Sequence, residues 1–177
     1  MTTLLLARHG ETDWNRELRV QGTSDTTLNE LGRAQAAELA RQLAGAGIDV
    51  IYASDLSRAR ETAEIVAAVT GHEVRLDPAL RERDFGSWEG LTREEIDARY
   101  GDHEQHDGET YEQVRARVLA AAKRIVAEHP GETVLVVSHG GALNALWHDA
   151  VGERLGRWGN CAVYGLEFRD GSFREIH

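Results

Sequence analysis

Leu4-Leu5-Leu6-Ala7-Arg8-His9-Gly10 and, far downstream, Val134-Leu135-Val136-Val137-Ser138-His139-Gly140-Gly141 are two apolar runs that end alike, in a histidine and a glycine. Short, continuous runs of this kind suit strands buried on both faces of a parallel sheet. Working outward, Glu30 to Leu43 places Leu31, Ala34, Leu39 and Leu43 at helical spacing, and Gly45 and Gly47 stop it. Asp49 to Ala53 reads as a short strand, and Leu56 to Val69 as an amphipathic helix with Ala59, Ala63, Val66 and Val69 on one face. Glu109 to His129 reads as a long helix, Thr133 to Val137 as a strand and Ala142 to Val151 as another helix. Cys161 to Phe168 and Ser172 to Ile176 flank Asp170-Gly171, the turn pair of a closing hairpin.

Strands alternating with helices predict an α/β fold. The expectation is a single-domain three-layer sandwich: a mostly parallel sheet with an antiparallel edge strand from the terminal hairpin, and helices on both faces. One domain over residues 1–177 is expected, because the chain has no repeat, no low-complexity tract and prolines only at Pro78 and Pro130. In such sheets ligands bind beyond the carboxyl ends of the strands, where both histidines fall.

Composition narrows the function. With 41% hydrophobic and 28% charged residues, the 177-residue chain reads as a folded globule. A net charge of −10 argues against a nucleic-acid-binding surface, which needs an extended basic face. A small anion remains open to it, provided arginines are concentrated in a cleft. No apolar stretch is long enough to span a bilayer, and Leu4 to Ala7 is too short for a signal-peptide core, so a cytoplasmic protein without membrane partners is expected. Cys161, the only cysteine, cannot form an internal disulfide and reads as a small buried hydrophobe. His103 and His106 invite a metal reading by spacing, but their polar, glycine-flanked segment reads as an exposed loop, and no metal is expected.

A lone histidine after a strand is usually structural. Here Arg8 adjoins His9, and Arg58 opens the second helix, so two guanidinium forks could clamp a phosphate. Pairing with Asp55 or Glu61 is the plainer alternative for Arg58. Arg8, at the end of an apolar strand, has to reach solvent or an anion. The glycines after each histidine open a turn or helix whose N–H groups can hold an anion.

Leu6-Ala7-Arg8-His9-Gly10-Glu11-Thr12 resembles the signature of the histidine phosphatase superfamily, the phosphoglycerate mutase-like enzymes. The resemblance continues through Asp13-Trp14-Asn15, Gln21-Gly22, the segment from Ser54 to Ala63, Leu80 to Gly86 with Trp88-Glu89-Gly90, and Val137 to Gly141. It covers nearly the whole chain. It implies His9 as nucleophile, Arg8, Arg58 and a cationic His139 as stabilisers of phosphoryl charge, and Glu82 as proton donor. It further implies substrate contacts at Asn15, Gln21, Gly22 and Gly140, although turn formation alone would explain the first three.

The function so implied is hydrolysis of a small phosphorylated metabolite through a phosphohistidine, without cofactor or metal, by a monomer or homodimer. A neutral imidazole can attack phosphorus, fixed cations can meet the charge on the equatorial oxygens, and one carboxyl can serve as acid and then as base. Two alternatives stay open. A cofactor-dependent phosphoglycerate mutase would carry an arginine-bearing insertion after the proton-donor block; Tyr100 to Tyr111 contains no arginine, but Arg83, Arg93 and Arg99 are nearby substitutes. A catalytically inactive phosphate-binding module would lack catalytic residues. Specificity is expected from Arg83 to Tyr111, read as loop-rich. Trp14, Trp88, Trp147 and Trp158 read as packing, with Trp88 near the leaving-group side.

Overall fold

The computed structural model describes residues 1–101 and 107–176. In chain order it contains β1 (Thr2–Arg8), α1 (Asp13–Arg16), α2 (Glu30–Leu43), β2 (Val50–Ala53), α3 (Ser57–Thr70) and β3 (Val74–Leu76). These are followed by α4 (Arg93–Tyr100), α5 (Tyr111–Glu128), β4 (Thr133–Ser138), α6 (Gly140–Val151), β5 (Val163–Arg169) and β6 (Ser172–Glu175). His103 and His106 lie outside the described residues.

Side chains alternate across a strand, and here the alternation divides the core in two. Leu4 and Leu6 of β1 and Val134 and Val136 of β4 face a cluster that includes Val118, Ile125, Leu143 and Trp147 of α5 and α6. Ala7, Leu135 and Val137 face the opposite cluster, built with Leu39, Ala40, Ala63 and Val66 of α2 and α3. The sheet is thus the middle of three layers. Trp147 and Trp158 are 2% and 1% exposed and meet edge to face at 5.9 Å. Losing either ring would cost about 3–5 kcal/mol.

The sheet order is β3-β2-β4-β1-β5-β6. β1 pairs with β4, and β2 with β4 and β3, all parallel. β5 is antiparallel to β1, and β6 is antiparallel to β5. The antiparallel strand therefore lies one place in from the edge, because both hairpin strands join the sheet. In the register Arg8 sits opposite Ser138, so the two histidines leave adjacent strands side by side.

Three of these elements go beyond the sequence reading: α1, β3 and α4, of which α4 falls in the Arg83 to Tyr111 region read as loop-rich. β3 has only three residues, and α4 buries only Ile96, so neither produces a hydrophobic period. α6 begins at Gly140 rather than Ala142, which brings the glycine pair into the helix. No helix among the described residues is long and apolar enough to cross a membrane.

Candidate active site

The rings of His9 and His139 stand 5.2 Å apart, centroid to centroid, and both residues are almost completely buried. His9 Nδ1 lies 2.7 Å from the carbonyl oxygen of Gly10. A carbonyl only accepts, so Nδ1 carries the proton and Nε2 presents a lone pair. Burial, followed by the charges of Arg58 and Arg8, holds the His9 ring well below the usual imidazole range. The ring is therefore neutral near pH 7, as a nucleophile must be.

His139 follows the same rule: burial first, then Arg58, His9 and Arg8, push it well below the usual imidazole range. The protein's own charges thus make it neutral, which departs from the cationic His139 expected from the sequence. A cation there requires negative charge brought by a substrate. His139 Nε2 is 2.8 Å from Ser54 Oγ, while Nδ1 is buried without a partner among the described residues.

Arg58 is 1% exposed, which disposes of the surface ion pair. Asp55 pairs with Arg81 at 2.6 Å, and Glu61 with Arg33 at 2.6 Å. Arg58 instead donates to the carbonyl oxygens of Ser24 at 2.8 Å and Gly22 at 2.7 Å. Burial pulls its guanidinium down to about 10, partly offset by Glu82, Asp25 and Glu89, and it remains charged at neutral pH. Arg8 donates from Nη1 to the Trp158 carbonyl at 2.5 Å. The Nε atoms of both arginines are buried without a protein partner among the described residues, two unused donors beside two histidines.

Glu82 is near both guanidiniums, since its charge acts on Arg8 and Arg58. Its carboxyl oxygens accept the N–H groups of Gly141 and Ala142, both at 2.9 Å. The sequence reading offered the N-terminus of this helix to an external anion; the N–H groups of Gly141 and Ala142 go to Glu82. The close approach depends on Gly141, where a Cβ would come within 2.5 Å of Glu82 Oε1. At Gly140 the nearest atoms that a Cβ would meet belong to the Arg8 side chain, at 3.6 Å and beyond.

Asn15 and Gln21 brace the turn below the histidines. Asn15 Oδ1 accepts the Thr12 N–H at 3.1 Å, closing the capping box of α1, and Gln21 Oε1 accepts Thr12 Oγ1 at 2.8 Å. Their side-chain oxygens are committed to the protein, and their NH2 groups are what remain to offer an anion. Gly22 has φ of 53°, and a Cβ there would strike Glu89 Oε1 at 1.9 Å.

Several contributors escaped the sequence reading. Glu89 accepts the N–H groups of Thr23 and Ser24 at 2.8 Å and of Phe85 at 3.1 Å, tying the turn at Gly22 to the segment that follows Glu82. Arg117 donates to the carbonyls of Ala79, Arg81 and Glu82, fixing the backbone that carries Glu82. Asn160 donates to the His9 carbonyl at 3.1 Å. Cys161 packs against the α2–α3 side of the core, and burial lifts its thiol to about 12.

Beyond Glu82 opens a hollow of about 380 Å³ lined by Arg83, Phe85, Tyr111, Val114, Gly141, Asn144, Arg154 and Gly156. The Arg154 guanidinium lies 4.2 Å over the Tyr111 ring, and that of Arg83 5.3 Å over Phe85. Arg93, by contrast, pairs with Asp97 on exposed α4. A larger hollow, about 570 Å³, touches Met1, Val126 and Phe168 at the far end of the sheet, away from this chemistry.

A mostly parallel sheet presenting two buried histidines, a buried and a half-buried guanidinium and a tethered carboxyl at one rim matches a family. The chain belongs to the histidine phosphatase superfamily, branch 1, whose model matches residues 4–176. Among curated relatives, the uncharacterized phosphatase PhoE of Bacillus subtilis is 34% identical, covering 98% of this chain and 92% of that protein. A probable phosphoglycerate mutase GpmB of an Enterobacter species is 38% identical, over 96% of this chain and 86% of that protein. Among solved structures, a mycobacterial glucosyl-3-phosphoglycerate phosphatase complexed with VO3 superposes with a TM-score of 0.88 at 35% identity, covering 97% and 95% of the two chains.

Proposed function

We propose that this protein hydrolyses small phosphomonoesters in two steps through His9. The observation that carries the reading is the His9 ring itself: neutral, with Nδ1–H held by the Gly10 carbonyl and Nε2 free to attack. In the first step the Nε2 lone pair forms a bond to phosphorus as the bond to the alcohol oxygen breaks, and Glu82 gives that oxygen its proton. In the second, water attacks phosphorus, the P–N electron pair returns to Nε2, and the Glu82 carboxylate takes the water proton. Arg8, Arg58 and His139 meet the charge on the equatorial oxygens, so no metal ion is needed.

The leaving alcohol belongs in the hollow beyond Glu82. Arg83 and Arg154 have no carboxylate partner in a salt bridge among the described residues; burial lowers the Arg83 guanidinium, Glu109 and Glu82 offset part of that, and Arg154 adds a smaller repulsion. An alcohol bearing a carboxylate or second phosphate would relieve that repulsion. The name of the mycobacterial relative, whose substrate is a phosphoglycerate derivative, agrees with this class. A cytoplasmic setting suits a chain with a single cysteine.

The test is a panel of phosphate esters assayed with excess chelator. Free phosphate should appear at an undiminished rate, fastest for esters of hydroxy acids. Arg154→Ala should raise KM for those by about tenfold and leave a neutral aryl phosphate unchanged. Phosphoglycerate also decides the second reading, favoured by the GpmB relative: isomer exchange outpacing phosphate release would make the protein a mutase.

A further inference from the structure

Three chain segments end in a row at the rim, because β4 lies between β1 and β2. His9 follows β1, His139 follows β4, and Ser54 follows β2, its backbone N–H donating to the Val137 carbonyl at 3.0 Å. Ser54 and His139 are both fully buried, and Ser54 Oγ lies 2.8 Å from His139 Nε2. Two assignments of that hydrogen bond exist, and they give His139 opposite chemistry. Either Ser54 donates and the ring proton sits on Nδ1, or Nε2–H donates and Nδ1 is a bare lone pair.

The surroundings choose between them. Ser54 Oγ already accepts the Leu56 N–H at 3.3 Å. If it also accepted from His139, its own proton would be left buried with no acceptor among the described residues, which costs the full desolvation of a hydroxyl. Donating to Nε2 satisfies the hydroxyl, the Leu56 amide and Nε2 together. The group left over is then an Nδ1–H, buried without a partner beside His9, Arg8 and Arg58. A buried donor left over beside a phosphate cradle is satisfied by a phosphoryl oxygen; a lone pair in that place would repel one.

We propose that Ser54 is a positioning residue: its hydroxyl donates to His139 Nε2, fixing the Nδ1–H tautomer so that Nδ1 donates to an oxygen of the transferring phosphoryl group. His139 then supplies a directed hydrogen bond without needing a positive charge. The neutral ring has only one N–H, so its position decides whether His139 stabilises or opposes the transition state; a wrong tautomer alone can cost orders of magnitude. The assignment rests on the phosphoryl-transfer reading of the site, but the position of the ring proton can be measured without substrate.

The experiment is a two-bond 1H–15N correlation spectrum of the full-length enzyme labelled with 15N-histidine, with the His139 signals identified by their loss in His139→Gln. In the native enzyme His139 should show a protonated Nδ1 and an unprotonated Nε2. In Ser54→Ala the two tautomers should mix, and kcat should fall roughly tenfold or more while KM changes less. Ser54→Thr, which keeps the hydroxyl, should restore the native pattern. A native His139 protonated at Nε2 overturns the proposal, even if Ser54→Ala fails to fold. So does a Ser54→Ala enzyme with unaltered tautomer and kcat. Absent turnover alongside a native Nδ1–H would instead fault the functional reading.

Discussion

His9 and His139 leave neighbouring parallel strands in register, each followed by glycine, yet the fold holds them by opposite nitrogens. His9 is held at Nδ1 by a backbone carbonyl, His139 at Nε2 by a serine hydroxyl. The free nitrogen is therefore a lone pair in one ring and a donor in the other. Two residues that look equivalent in the sequence are assigned nucleophile and stabiliser by the partner each one finds, and burial keeps both rings neutral for those tasks.

The comparison is broken most severely by removing each ring in turn. His9→Ala should lower kcat by about four orders of magnitude or more, because the covalent step disappears. His139→Ala should lose only about a hundredfold, the scale of one transition-state donor. Equal losses would erase the distinction. Arg58→Ala should cost on the order of a hundredfold as well, with circular dichroism confirming the fold, since this buried guanidinium also ties down the turn at Gly22 and Ser24.

Glu82→Gln sharpens the account from the other side of the phosphorus. Hydrolysis of alkyl phosphates should fall about a hundredfold, and that of an aryl phosphate with an activated leaving group much less. Parallel losses for both esters would remove Glu82 from the acid role.

The smallest expected effect is on pH dependence. Protonated His9 cannot attack, but its folded-state pKa is depressed, so the neutral form persists well below the usual imidazole range. The acid limb of kcat/KM should accordingly show no His9 titration near pH 6.5. Stability has the reverse dependence. Below the ordinary imidazole pKa the unfolded chain binds protons that buried His9 and His139 refuse, so stability should decline as pH falls below about 6.5, by up to roughly 1.4 kcal/mol per pH unit per ring. Denaturant titrations at pH 7.5 and 5.5 measure this; a folded state equally stable at both values would mean the rings take up protons freely.

The phosphate side of the site and its leaving-group side differed in legibility. Apolar runs ending in Arg8-His9 and Ser138-His139 betray their place at the sheet rim, because two-sided burial leaves a continuous hydrophobic trace. Arg58 is visible in the sequence as a candidate, but only its burial sets aside the surface ion pair. On the other side, α4 passed for a loop because it buries a single residue, although the capping box of Thr92 with Glu95 would have marked its start. The box of Thr110 with Gln113 likewise begins α5 at Tyr111 rather than Glu109. Ser54 and Glu89 fall in segments that carry the family resemblance, but nothing local gave them a role, and Arg117 and Arg154 had no local signature at all. Their roles come from partners distant in sequence, which no periodicity encodes.

The central claim is that His9 Nε2 carries the phosphoryl group between alcohol and water. Rapid alkaline quenching during turnover of a 32P-labelled ester, followed by peptide mapping and 31P–15N correlation on 15N-histidine-labelled enzyme, tests it directly. The account predicts acid-labile phosphate on residue 9, bonded to Nε2. Label bonded to Nδ1, found on His139, or missing from an enzyme that still releases phosphate would contradict it.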